Sequence, residues 1–201
     1  MKKTMFIIMI AGIILGCGEK PKEAQVWRED FRIERLSWTT VLGTPDWILD
    51  KGVWVILGKA PFEELVVVNG DWQGDEYQID TAMRINENGE AGIVLGYQDA
   101  KNFRRVTLDN SQNRIALIKR VDGVDSVEAE GSISLSHREF HDLVTIVNKS
   151  ELRVQCDKLT VFETGRPNGL SGRLGIFAGI ASPPNTPIYA NFDNFKVQPV
   201  P

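Results

Sequence analysis

Apolar and polar side chains alternate through the middle of the chain, a pattern typical of β-strands that are buried on one face. The clearest example is the run from residue 77 to residue 85. We expect one of its faces to be buried, the face formed by Tyr77, Ile79, Thr81, Met83 and Ile85. A shift of one residue would expose all of these side chains, so the pattern also fixes the register of the strand.

Two further strand-like runs, residues 91–98 and 103–109, flank a polar connection at residues 99–102. Aspartate and asparagine favour turns, so this stretch predicts a β-hairpin. In the second run the period of two separates the side chains into two sets, and the set with Val106 and Leu108 predicts a core face. We expect the other face, which carries Phe103 and Arg105, to be wet.

Similar short runs follow one another along the chain, separated by turn residues such as Asn, Asp, Gly and Pro. They predict strands at residues 26–31, 64–68, 114–121, 124–130, 140–148, 151–157, 158–164, 173–180 and 188–197. After the N-terminal apolar run, no long stretch has helical periodicity with suitable caps. The sequence therefore predicts an all-β protein, a two-sheet antiparallel β-sandwich.

The N-terminus resembles a bacterial lipoprotein signal. Lys2 and Lys3 precede an apolar run, residues 4–15, which has the shape of a secretory signal and is too short to span a bilayer comfortably. Gly16 directly before Cys17 resembles a lipobox, in which the cysteine is acylated and the signal is cut before it. Two or three acyl chains would hold the protein on a membrane, so we expect an envelope protein of the outer membrane or cell surface. The alternative is an ordinary signal peptide with a chance cysteine.

These features divide the chain into a signal peptide at residues 1–16, a lipidated cysteine and polar tether at residues 17–25, and one domain at residues 26–198. The mature chain would carry 21 basic and 27 acidic side chains, a net charge of about −6, which argues against nucleic acid as a partner. Cys156 would be the remaining thiol, so no internal disulfide can form, and we expect it to be a core residue.

Tryptophans and histidines are the next candidates. Four tryptophans, Trp27, Trp38, Trp47 and Trp54, could form a sugar-stacking surface, but they could equally belong to the core, which we favour. His137 and His141 would face one zinc ion on a helix. The pattern there predicts a turn followed by a strand, in which four residues span about 13 Å, so the zinc pair fails on geometry.

The order of several motifs resembles the concanavalin A-like lectin/glucanase jelly roll. It is similar in particular to the laminin-G-like and 3-keto-disaccharide hydrolase type domains of secreted bacterial proteins. The motifs are Trp27-x-x-x-Phe31, the hairpin sequence of residues 89–106, Glu139-Phe140-His141-Asp142-Leu143, residues 172–178 (Gly-Arg-Leu-Gly-Ile-Phe-Ala) and Phe192-Asp193-Asn194-Phe195. The resemblance covers residues 26–198 and implies two curved sheets whose concave face forms a groove that commonly holds sugars.

The resemblance also has implications for individual residues. Family 16 glucanases of this fold carry a Glu-x-Asp-x-x-Glu strand, whereas the corresponding face here has Asp80 as its one carboxylate and Arg84 where an acid would be needed, so that mechanism is disfavoured. Asp80 and Arg84 could form a same-face polar pair or part of a groove. The resemblance implies a structural role for His141 and a structural calcium near Asp193, although that aspartate could instead bond neighbouring amides.

For a ligand groove we select residues that can stack on a ring or bind hydroxyl and carboxylate groups. They are Asp80, Arg84, Tyr97, Phe103, Arg105 and Lys119. The alternative is a solvated sheet face with ordinary cross-strand pairs.

Three functions stay open at this point. The leading hypothesis is a lipid-anchored, non-catalytic domain that binds a carbohydrate or glycan on its concave face, is monomeric and requires no cofactor. The second is a glycoside hydrolase-like enzyme acting on a disaccharide or modified sugar. The third is a cell-surface scaffold that binds protein.

Overall fold

The computed structural model describes residues 26–29, 31, 38–43, 46–50, 53–58, 64–69, 72, 74–180 and 188–200, and for residues 46–50, 53–58 and 180 it describes the backbone alone. The signal, the lipidation residue Cys17 and the tether lie outside the described residues. The strands are β1 (Trp27–Glu29), β2 (Trp38–Leu42), β3 (Asp46–Asp50), β4 (Val53–Gly58), β5 (Glu64–Asn69), β6 (Tyr77–Ile85), β7 (Gly89–Asp99), β8 (Asn102–Asp109), β9 (Arg114–Val121), β10 (Val124–Ser132), β11 (His141–Val147), β12 (Glu151–Cys156), β13 (Leu159–Gly165), β14 (Arg173–Ile180) and β15 (Ile188–Gln198).

These strands form two antiparallel sheets that pack face to face. One sheet has the order β13-β12-β11-β6-β15-β4-β3, with β1 pairing to β15, and the other has the order β10-β9-β8-β7-β14-β5-β2. We call them the first and second sheet. The prediction of an all-β, two-sheet antiparallel sandwich is confirmed, and the described part of the chain contains no helix, hence none that could cross a membrane.

The main core lies between the sheets. On β6 the predicted inward side chains, Tyr77, Ile79, Thr81, Met83 and Ile85, are all buried. The alternation in the sequence therefore predicted the buried face of this strand correctly. Cys156 is fully buried in the same core, as expected. Trp27 and Trp38 pack against it, with ring centroids 5.3 and 5.5 Å from that of Phe195, so these two tryptophans are core residues. The side chains of Trp47 and Trp54 lie outside the description.

The turns at residues 99–102, 121–124 and 148–150 lie at one end of the sandwich, which we call the hairpin end. The loop at residues 166–172 joins them there. The amide of Arg166 donates to the carbonyl of Ser150, and its guanidinium donates to the carbonyl of Asn148. The hydroxyl of Tyr77, at the start of β6, reaches the carbonyl of Leu170.

The outer face of β8, in the second sheet, is not wet, which corrects our expectation for this strand. Seven of its eight residues, from Phe103 to Asp109, are buried, although they alternate between the two faces. The reason is curvature, which brings the side chains of the outer face together. Gly92 and Gly175 lie on this face, where a Cβ would overlap a carbonyl of the adjacent strand, so glycine permits the close approach of the backbones.

Candidate functional site

The curved outer face of the second sheet holds a compact apolar cluster. It consists of Val66, Val68, Val94, Tyr97, Phe103 and Phe177, with Val41 and Leu42 packed against it. The rings of Tyr97 and Phe103 lie 5.9 Å apart, and the two residues are only 6% and 4% exposed. These two rings are the ones that we expected to stack on a sugar. In the structure the two rings pack on each other, so together they do not form an open stacking surface in the groove.

Guanidinium groups cover these rings. Arg105 lies over Phe177 at 4.5 Å from its centroid, and Arg120 lies over Phe103 at 5.0 Å. Asp125 of β10 accepts two hydrogen bonds from each of the two arginines, at 2.7 to 3.1 Å. We call the set of Glu64, Glu90, Arg105, Arg120 and Asp125 the ionic cluster.

The ionic cluster shows how strongly the sheet curves. Arg120 on β9 donates to Glu64 on β5 at 2.7 Å, although three strands separate β9 from β5. In a flat sheet, four strand spacings would amount to about 19 Å. The two side chains can meet only because the sheet curls over its outer face. The face that resembles a sugar groove is therefore concave, but the cluster fills it.

The charges of the cluster stabilise one another. Burial works against the ionised form of Asp125, but the hydrogen bonds from Arg120 and Arg105 outweigh it and lower the pKa of this carboxyl to about 2. The hydrogen bond to Asp125 raises the pKa of Arg120, against the effect of desolvation and with further help from Glu64. Arg105 also lies 3.6 Å from Glu90. Two nitrogens of the Arg105 guanidinium thus donate to Asp125, while its buried Nε has Glu90 as an ion-pair partner without a hydrogen bond.

Asp80 and Arg84 do not belong to this face. Both lie on β6, in the first sheet, so the two sheets of the sandwich separate them from Tyr97, Phe103 and Arg105. Asp80 accepts a hydrogen bond from Gln78 and lies 3.8 Å from the Lys196 ammonium. The six predicted residues therefore do not form one groove, and Asp80 and Arg84 share a face of β6 without contacting each other.

Arg84 has partners of its own. Its guanidinium lies 5.0 Å from the Phe140 ring centroid and donates to the side-chain oxygen of Asn191 in the amide orientation that satisfies both residues.

Lys119 is also displaced from the predicted groove. It lies directly across from Arg104 on β8, so it projects from the inner face of the second sheet, at the hairpin end.

Asp193 lies on β15, on the outer side of the first sheet, and is partly buried. Its carbonyl accepts a hydrogen bond from the Thr81 hydroxyl. A carboxylate suits calcium, but much of the chain before Glu64 lies outside the described residues. Calcium at Asp193 therefore stays a prediction.

Two cavities open at the hairpin end, on either side of the loop at residues 166–172. The backbone of this loop lies directly on the bulge of β7, because a Cβ on Gly96 would meet the Gly169 carbonyl and one on Gly172 would meet the Tyr97 carbonyl. All three glycines have positive φ, which other residues rarely adopt. The first cavity, of about 270 Å³, we call the aromatic cavity. It is lined by Trp72, Gly74, Asp75, Tyr97, Ser171, Gly172 and Arg173.

The aromatic cavity combines two rings with two opposite charges. The Arg173 guanidinium lies 5.4 Å from the centroid of Tyr97, and burial raises the pKa of this tyrosine against the effect of Arg173. Trp72 is fixed by an edge contact with Tyr77 and by its indole N–H, which donates to the Gly74 carbonyl. Among the described residues, neither Asp75 nor Arg173 has an ion-pair partner.

The second cavity, of about 240 Å³, we call the basic cavity. Its lining has three cationic side chains, three amides and no carboxylate within the described chain; it consists of Gly96, Gln98, Asn102, Phe103, Arg104, Lys119, Arg120, Val121, Asn168 and Gly169. Lys119 and Phe103, predicted as ligand residues, both belong to it. The sequence analysis did not select four other lining residues: Trp72, Asp75 and Arg173 of the aromatic cavity and Arg104 of the basic cavity. The glycines around residues 169–172 were the available signal, since a backbone that needs positive φ often shapes a site.

A cross-strand pair of carboxylates, Glu90 and Asp109, lies on the concave face. Glu90 and Asp109 face each other across β7 and β8, as a hydrolase would require of two acids. Asp109, however, accepts hydrogen bonds from the Ser111 hydroxyl and the Gln112 amide and lies 3.4 Å from Arg114. Asp109 caps the β8–β9 turn. Because both of its carboxylate oxygens already have partners there, a role in acid–base chemistry is disfavoured.

A cluster of potential metal ligands, His141, Cys156 and Asp157, lies at the opposite end, with ligand atoms within 4.8 Å of one another. His141 is 2.7 Å from the Asp157 carboxylate, and the Ser136 amide donates to its other nitrogen. Burial, with a smaller effect of Asp157, raises the pKa of the Cys156 thiol to about 12, so it is not a thiolate near neutral pH. His141 therefore joins a loop to the β12–β13 turn, in agreement with the structural role expected for it.

No protein-family model matches the chain, and no curated protein matches it in sequence. Solved structures do match. The carbohydrate-binding module CBM66 from Bacillus subtilis is 19% identical, with a TM-score of 0.68 over 80% of this chain and 94% of the module. A prokaryotic β-1,3-1,4-glucanase (lichenase) derived from a mouse hindgut metagenome is 10% identical, with a TM-score of 0.66 over 87% of this chain and 99% of the enzyme.

The carbohydrate recognition domain of Emp47p is 13% identical, with a TM-score of 0.63 over 90% of this chain and 99% of the domain. The fold is a concanavalin A-like jelly roll. At these identities the likeness shows the fold alone, since jelly rolls carry many functions.

Proposed function

We propose that this protein is a non-catalytic, glycan-binding jelly roll and that a sugar unit occupies the aromatic cavity. One observation carries the proposal: Asp75 and Arg173 face one cavity with opposite charges and have no ion pair within the described residues. A sugar hydroxyl is both donor and acceptor, so a carboxylate and a guanidinium can each bind one. Because these two charged groups do not neutralise each other, both remain available to bind a ligand.

The rings and the size of the cavity support the same ligand. Trp72 and Tyr97 offer apolar surface for the C–H face of a sugar, and aromatic side chains in a pocket with few polar groups are typical of small-ligand sites. A volume of about 270 Å³ is just below the usual range for drug-sized ligands, which suits a single sugar unit. A carbohydrate-binding module and a carbohydrate recognition domain share this fold, which makes a glycan the first ligand to test.

The test is a glycan array followed by calorimetry of the best ligand. Asp75→Asn and Arg173→Gln should each weaken binding by about tenfold or more, because each removes a charged hydrogen-bond partner. Glu87→Gln and Arg138→Gln are matched controls from the opposite end of the sandwich and should bind like the natural protein. No binding to any glycan, or equal losses in the controls, would contradict the proposal, and release of reducing sugar would favour the hydrolase instead.

We further propose that acylation of Cys17 anchors this domain in the bacterial envelope. The support is the sequence of residues 1–17 alone. Cys17→Ser should release the protein from membranes during a carbonate wash, whereas a Cys156→Ser control should stay bound. A Cys17→Ser protein that remains in the membrane fraction would remove the anchor.

A further inference from the structure

The basic cavity lies beside the aromatic cavity, and the same loop lines both. Asn168 and Gly169 line the basic cavity, and Ser171 to Arg173 line the aromatic one. The Cα atoms of Gly169 and Ser171 are at most about 7 Å apart, because two residues span no more than that. The two cavities therefore lie on either side of one short backbone segment.

Arg104 presents a fixed donor to the basic cavity. It is only 7% exposed, and its Nε and Nη2 donate to the two carboxylate oxygens of Glu128 at 2.7 and 3.0 Å. This paired geometry sets the plane of the guanidinium. Nη1 has no hydrogen-bond partner in the described chain and points towards Gly169, where a Cβ would lie 3.5 Å from it. The absence of a side chain on Gly169 keeps this donor accessible.

Lys119 adds a charge that the protein does not neutralise. It lies directly across from Arg104 on the same face of the sheet, and like charges in this relation destabilise a sheet. Glu128 neutralises Arg104, and Asp125 with Glu64 neutralise Arg120. No carboxylate of the described residues pairs with Lys119. An anion in the cavity would supply the missing counter-charge for Lys119.

We propose that the basic cavity binds an oxyanion of the glycan, a carboxylate or a sulfate, so that the ligand is an acidic saccharide. This inference rests on the proposed glycan-binding function and specifies its ligand class. Arg104 Nη1 and the Lys119 ammonium supply the charged donors, and the side-chain amides of Gln98, Asn102 and Asn168 supply neutral ones. The aromatic cavity then holds the neighbouring sugar unit.

The experiment compares three probes by calorimetry: an unsulfated uronic-acid oligosaccharide, the same oligosaccharide with its carboxyl groups reduced to alcohols, and a sulfated form of the reduced oligosaccharide. An acidic form should bind about tenfold more tightly than the reduced form, and higher salt should weaken only the acidic forms. Preference for the carboxylate or the sulfate form identifies the source of the oxyanion. Lys119→Gln should bring the affinity for the acidic forms close to the affinity for the reduced form. Lys101→Gln, an exposed lysine of the adjacent turn, is the control.

The outcomes separate this inference from the proposed function. If acidic and reduced forms bind equally, or if Lys119→Gln and Lys101→Gln behave alike, the anion site is refuted, while loss of binding in Asp75→Asn still supports the glycan function. If Lys119→Gln abolishes binding but Asp75→Asn does not, the anion site stands and the aromatic cavity is refuted. If no probe and no other glycan binds, both are refuted.

Discussion

The ionic cluster should be the main electrostatic support of the concave face, and Asp125→Asn tests this directly. The substitution keeps the shape of the side chain and removes its charge. Asp125 accepts four hydrogen bonds, and its loss leaves the side chains of Arg105 and Arg120, which are 6% and 10% exposed, with Glu90 and Glu64 as remaining partners. Buried cations that lose a carboxylate are costly.

The magnitude follows from the exposure of the groups. A hydrogen bond to a charged group contributes about 1.5 to 3 kcal/mol, but the amide of asparagine still accepts one, and Asp125 is 34% exposed and partly screened. We expect a loss of about 2 to 4 kcal/mol in the free energy of unfolding. For a domain of this size that corresponds to a fall in melting temperature of roughly 4 to 16 °C.

The assay is urea and thermal unfolding followed by circular dichroism. The control is Glu163→Gln, which removes a 2.6 Å ion pair with Arg153 on an open surface, where both side chains are over a third exposed. Such a pair contributes at most about 1 kcal/mol. Equal effects of the two substitutions would refute the idea that the ionic cluster holds the concave face together.

The same variant has a pH signature. The pKa of Asp125 is lowered from 3.8 to about 2 in the folded protein, so the ionised carboxylate stabilises the fold above its unfolded pKa. That contribution is lost as the pH falls from about 4 towards 2. The stability difference between the natural protein and Asp125→Asn should therefore be constant between pH 5 and 7 and shrink below pH 4. A difference that grows on acidification would contradict this assignment.

Three further predictions concern other parts of the molecule. Gly92→Ala should lower the free energy of unfolding by about 1 to 3 kcal/mol because its Cβ would overlap a carbonyl of β8, whereas Gly165→Ala, with nothing within 4 Å of its Cβ, should change it little; equal effects in urea titrations would refute the close approach. Cys156 should resist a thiol reagent at pH 8 until the protein is unfolded, because burial raises its pKa to about 12 and keeps the reagent out; rapid labelling of the native protein would contradict this. Calcium at about 1 mM should raise the melting temperature of the chelator-treated protein, and Asp193→Asn should abolish the rise; an unchanged melt in calcium would remove the site.

The sequence predicted those features that depend on neighbouring residues. The alternation on β6 identified the buried face from Tyr77 to Ile85, since the period of two is a local property of a strand. It failed on β8, where Phe103 and Arg105 are buried on the face that we expected to be wet. Curvature decides this, because it brings together residues that are distant in sequence, such as Arg120 and Glu64, which are 56 residues apart.

The candidate site was only partly predictable for the same reason. Tyr97, selected from the sequence as a ring next to the turn at residues 99–102, lines the aromatic cavity. Asp75 and Arg173 join it through the packing of the 166–172 loop on β7, which no local pattern encodes. Asp80 and Arg84 were assigned to the groove from their strand face, but a strand face does not tell which sheet the strand joins.

The positions of the arginines explain why a ligand would bind at the hairpin end and not in the concave groove. Three guanidinium groups lie over aromatic rings of this face: Arg105 over Phe177, Arg120 over Phe103 and Arg173 over Tyr97. A sugar that stacks on a ring must first displace its guanidinium.

The cost of that displacement differs among the three. Moving Arg120 breaks its hydrogen bonds to Asp125 and Glu64, and moving Arg105 breaks those to Asp125. Moving Arg173 breaks one cation–π contact, about 0.5 to 1 kcal/mol at an accessible site, since no carboxylate of the described residues holds it. Tyr97 is therefore the ring that a sugar can uncover at the lowest cost, and Arg173 remains beside it to bind a hydroxyl.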